Sequence, residues 1–140
     1  MRTDEVENRC TVFLLFFGLA FSLPGEQQLR VVPSELVEHY QDYDGKHIVI
    51  EGDVASGPEM TVMYLGPAPA GDDPNGMLVG LSESVSRRPS ATEKRFKAML
   101  RKKGLVHAVL EGYFDGAADR QWGHQLCCRF KLRVEKVISV

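Results

Sequence analysis

Arg129, Lys131 and Arg133 alternate with Cys128, Phe130, Leu132 and Val134 near the end of a 140-residue chain. On a strand, side chains at every second position share a face, so the cations form a stripe and the apolar residues a buried seam. Tyr113 and Trp122 precede the stripe. Cations beside aromatic rings make the kind of platform on which single-stranded nucleic acids or sugars are held. The chemistry this pattern offers is binding rather than bond-making. A simpler account pairs the same bases with Glu111 and Glu135 across neighbouring strands.

Catalytic patterns are sparse. His124-Gln125-Leu126-Cys127-Cys128 contains a His-x-x-Cys pair, but zinc needs three or four ligands, and His39, His47 and His107 are scattered. Cys127 with His107 or His124 is the one nucleophile–base pairing to be drawn, and its spacing specifies no third, orienting group. No phosphate-cradling Gly-x-x-x-x-Gly-Lys run, Gly-x-Ser-x-Gly elbow or His-Glu-x-x-His motif occurs. No metal, cofactor or catalytic residue is therefore expected. The enzyme reading rests on Cys127 alone.

The elements that must position the stripe follow from periodicity and turn chemistry. Pro33-Ser34 opens a short helix over 33–43, with Leu36, Tyr40 and Tyr43 on one face, and Asp44-Gly45 ends it. Strands are predicted over Lys46–Val54, Met60–Leu65 and Met77–Leu81, with a Pro- and Gly-rich loop over 66–76. Ser90-Ala91-Thr92-Glu93 is a capping box for a second helix, whose apolar stripe is Phe96, Met99 and Leu100 and which closes at Lys103-Gly104. Two strands complete the chain, Leu105–Phe114 and the alternating run from Cys128. Gly52 and Gly112 lie inside strands, where glycine marks a bulge or bend.

Three strands, a helix and two strands is the order of the OB-fold, a five-stranded Greek-key barrel. The runs YDGKHIVIEGDV, VLEGYFDG and CRFKLRVEKV resemble its first, fourth and fifth strands, and the resemblance covers residues 44–138. The chain resembles small exported bacterial proteins of OB-like type. That resemblance implies a fold and an address, and no activity. A mixed α+β domain without barrel closure is the alternative. In an OB-like barrel, Trp122-Gly123 edges the open end of the ligand face, where the ring either stacks on a ligand or plugs the barrel.

Charge is unevenly spread. Residues 26–83 hold eleven acids and two bases, whereas residues 87–103 hold eight bases and one acid. The basic helix 87–103 is the solvated side of an amphipathic helix or, together with Arg129, Lys131 and Arg133, a site for an anionic polymer such as nucleic acid or acidic glycan. The net charge of −2 favours neither.

The apolar run Cys10–Leu23 fits the core of a secretory signal, with small residues Ala20 and Ser22 before a cleavage point. Asp4, Glu5 and Glu7 make the leader less basic than is usual. Residues 1–22 are expected to be a signal peptide, 23–43 an extension carrying the short helix, and 44–140 the barrel. The expected address is periplasmic or secreted, and the alternative is an uncleaved membrane anchor over 10–23. Cys128 belongs to the buried seam. Cys127 faces the other way, and in an oxidising compartment a lone exposed thiol there is placed to bond a second chain. The expectation is thus an exported binding module of OB type with an unknown protein or small ligand as partner, nucleic acid being disfavoured by the address. Tyr113, Trp122, Arg129, Lys131 and Arg133 are the site residues.

Overall fold

Burial alternates residue by residue along the two long C-terminal strands, and this alternation fixes what faces inward. In a computed structural model, the described residues are 28–57, 60–66, 76–81, 88–117, 122 and 128–140. Residues 1–27, which hold the expected signal peptide, the 67–75 loop segment, His124 and Cys127 lie outside them. The strands are β1 (Leu29–Val31), β2 (His47–Ser56), β3 (Thr61–Met63), β4 (Met77–Gly80), β5 (Leu105–Asp115) and β6 (Phe130–Ser139). The helices are α1 (Pro33–Glu38), α2 (Tyr40–Tyr43) and α3 (Ala91–Lys103).

The sheet closes on itself. β2 pairs β3, β3 pairs β4, β4 pairs β6, β6 pairs β5, and β5 returns to β2 over the register His47↔Tyr113 to Ala55↔Leu105. The β4–β6 pair is parallel and the other four are antiparallel. With α3 between the third and fourth strands of the ring, this is the expected five-stranded OB-like Greek-key barrel. β1, which the sequence does not announce, adds outside the ring as a parallel partner to the first half of β2. It has three residues and no turn residue beside it, and it forms only because a distant strand offers an edge.

The inward set of β5 is Val106, Ala108, Leu110, Gly112 and Phe114; that of β6 is Phe130, Leu132 and Val134. They meet Ile48, Ile50, Val54, Met63 and Met77 in one core. α3 lays Phe96 and Leu100 onto that core. Its ends behave as its sequence specifies: Ser90 Oγ accepts from the Glu93 amide at 3.1 Å, and Gly104, at φ +75°, donates to the Leu100 carbonyl at 2.8 Å. Glu93 Oε1 also accepts from Lys97 Nζ at 2.8 Å.

Two expectations shift in detail. The 33–43 helix breaks at His39 (φ −124°, ψ 32°), so Leu36 is buried from α1 while Tyr40 and Tyr43 reach the core from α2. The alternation on β6 slips after Val134: Gly112 pairs Val134 but Glu111 pairs Lys136, so Glu135 is the extra residue of a β-bulge. Gly112 permits the close strand approach here. A Cβ on it would collide with the Arg133 carbonyl.

Candidate functional site

Register across three strands assembles the site on the outer wall of the barrel. His47 of β2 stands opposite Tyr113 of β5, and Tyr113 opposite Arg133 of β6. One step along, Asp115 stands opposite Lys131. Because these are outward positions of strands whose alternate residues are buried, their side chains are held by a rigid wall. The His47 ring meets Tyr113 edge-on, with centroids 4.9 Å apart and planes at 70°. The Arg133 guanidinium carbon lies 5.3 Å from the Tyr113 ring centroid.

Trp122, which lies between β5 and β6 in the chain, supplies the facing side. Trp122 is joined to Cys128 by two backbone hydrogen bonds, 2.7 and 3.0 Å, which hold it beside the start of β6. Lys131 Nζ sits 4.8 Å from the Trp122 ring centroid. Arg129 lies 4.4 Å from the Tyr40 ring. Each cation of the predicted stripe thus has an aromatic ring beneath it, an arrangement of weak attraction at an exposed surface that also restricts the long side chain.

Between Tyr113, Trp122, Lys131 and Arg133 lies a cleft of about 360 Å³, with Asp44 and Asp115 at its Lys131 end. That volume suits a small ligand. Gly45, at φ +72°, turns the chain from α2 into β2 and presents Asp44, whose Oδ1 accepts from the Gly116 amide at 2.9 Å. A second groove, about 370 Å³, runs beside β1 and is lined mainly by Val31, Val32, Val49, Val109 and Pro33, with Arg30 and Glu51 as its charged groups. Its walls lack the converging aromatic and cationic groups of the cleft.

The carboxylates expected to neutralise the stripe are committed elsewhere. Glu135 Oε2 is 3.2 Å from His47 Nε2, and Glu111 Oε1 is 3.9 Å from the same nitrogen while accepting from Gln28. Neither carboxylate bonds Arg129 or Arg133.

A separate charge cluster sits further along β2 and β5. His107 Nδ1 is 2.8 Å from Asp53 Oδ1, and Nε2 is 2.9 Å from Glu51 Oε1. A carboxylate only accepts, and only the protonated imidazole can donate from both nitrogens, so this geometry favours the cationic form. The bond to Glu51 and then that to Asp53 raise the His107 pKa above its ordinary 6.5. These pairs use both nitrogens, and they place His107 eight residues along β5 from Asp115 of the cleft.

Of the five predicted site residues, the structure brings Tyr113, Trp122, Lys131 and Arg133 to one cleft and sets Arg129 beside it on Tyr40. Cys128 is buried, as its place in the seam requires. α3 runs through Gly104 into Leu105, where β5 begins, whereas Tyr113 and Asp115 of the cleft stand where β5 ends. His47, Asp44 and Tyr40 are not evident from sequence. His47 is a lone histidine until β2–β5 register sets it against Tyr113. Comparisons of this chain with protein-family models, with curated proteins and with solved structures give no match.

Proposed function

We propose that this chain is a non-catalytic binding module of OB type, exported from the cell, which takes a small ligand in the cleft between β5, β6 and their connecting turn. The observation that carries the reading is the convergence of two aromatic rings and two cations, Tyr113 with Arg133 and Trp122 with Lys131, on one concavity. Apolar faces with a few placed polar groups are how proteins hold small molecules. Export rests on the Cys10–Leu23 run alone.

Trp122 is the single tryptophan of the chain, so its indole gives one NMR signal that reports the site. Titration with a panel of small ring compounds should move that signal together with the amides of Tyr113, Asp115, Lys131 and Arg133. Shifts confined to α3 or to the groove beside β1 would refute this placement.

A second reading follows from the full stripe: Arg129, Lys131 and Arg133, each on its ring, would track an anionic polymer along β6. Salt separates the two. Binding of a polymer across several cations weakens steeply between low and physiological salt, whereas a single anionic contact weakens little.

A further inference from the structure

The Arg133 guanidinium is exposed, rests on Tyr113, and has no carboxylate partner among the described residues. That is notable because two carboxylates are close by on the same wall. Glu111 lies on β5 two residues before Tyr113, and Glu135 lies two residues beyond Arg133. The bulge at Glu135 breaks the alternation of β6, and the carboxylate meets His47 at 3.2 Å instead. Glu111, only 13% exposed, is on the same histidine at 3.9 Å. On the opposite flank, the register partner of Arg133 in β4 is Gly80, which has no side chain to cover the guanidinium.

The other charges of the cleft sort by position. Asp44 is bonded to the Gly116 amide, and Asp115 stands opposite Lys131, so acidic character collects at the Lys131 end. At the other end the Arg133 fork is left without a carboxylate bonded to it among the described residues. A guanidinium presents a planar fork that matches a carboxylate or phosphate with two parallel hydrogen bonds. Resting on the cleft as binding site, we infer that its ligand is a flat ring bearing a carboxylate or a phosphate, with the anion on Arg133 and the ring against the Tyr113–Trp122 wall. His47 is a positioning residue in this site: it keeps Glu135 and Glu111 from occupying the fork.

The test uses the full chain and three probes followed through the Trp122 indole signal: phenyl phosphate, benzoate and the neutral benzyl alcohol. At least one anion should bind about tenfold or more tightly than the alcohol, and the stronger anion tells phosphate from carboxylate. Arg133→Gln should remove that preference, bringing anion and alcohol affinities together, and Arg133→Lys should lose most of it because the fork is gone. His47→Phe, which keeps a ring against Tyr113, should weaken anion binding, and Glu135→Gln added to it should restore binding. Equal binding of alcohol and anions at Trp122 overturns the anion seat but leaves the cleft as a site. No response at Trp122 to any probe overturns both. Failure of Glu135→Gln to rescue the His47→Phe variant overturns the role given to His47.

Discussion

Neighbouring residues on β6 have opposite roles, and their substitutions separate cleanly. Phe130 is fully buried against Tyr40 and Phe114, with ring centroids 5.5 Å away in each case. Phe130→Ala should cost about 3–5 kcal/mol, measured by denaturant unfolding. Lys131→Ala, on the outer face, should cost under about 1 kcal/mol, because only a surface cation–aromatic contact is lost. His107 carries a different signal. Its folded pKa is raised by Glu51 and Asp53, so the histidine's contribution to stability is complete below its ordinary 6.5 and disappears as pH rises through the raised folded value. The pairs are largely exposed, which keeps this contribution small. His107→Gln should therefore flatten the fall in stability from pH 6 to pH 9, and an unchanged slope would mean the fall has another source.

At the level of elements, the β5–β6 pair makes the site. Its bulge sends Glu135 to His47, and its register sets Tyr113 against Arg133. Gly112 is the hinge of both, since a side chain there would meet the Arg133 backbone. Gly112→Ala should destabilise by about 2–3 kcal/mol, as overpacking against backbone does. It should also move the Tyr113 and Arg133 amide signals even where the fold survives. α3 contributes to the site only indirectly. It packs Phe96 and Leu100 onto the core and returns the chain through Gly104 into β5, ten residues before the cleft. No helix among the described residues is long and apolar enough to cross a membrane.

For the whole molecule, closure of the ring decides which surfaces exist. Joining β5 to β2 brings His47 beside Tyr113 and so builds the wall of the cleft from three strands. The proposed export makes a prediction at this scale: mass spectrometry of the protein from its host should find a chain beginning near Leu23, and an intact N-terminus would favour the anchor. Some of this was legible in the residues alone. Alternation from Cys128 to Val134, the Ser90 cap, the Gly104 stop and the glycines of β2 and β5 are local signals, so strand and helix order could be read without a partner in view. The stripe was legible for the same reason, since side chains two apart on a strand must share a face. What lay beyond the sequence is non-local. β1 exists only through its pairing with β2. The break at His39 depends on how Leu36 and Tyr40 each reach the core. The commitment of Glu111 and Glu135 to His47, rather than to the arginines, depends on register and on one extra residue in β6. Local periodicity thus determined which side chains face outward, and only the pairing of distant strands decided which of them meet, because a register is a relation between segments that no single segment encodes.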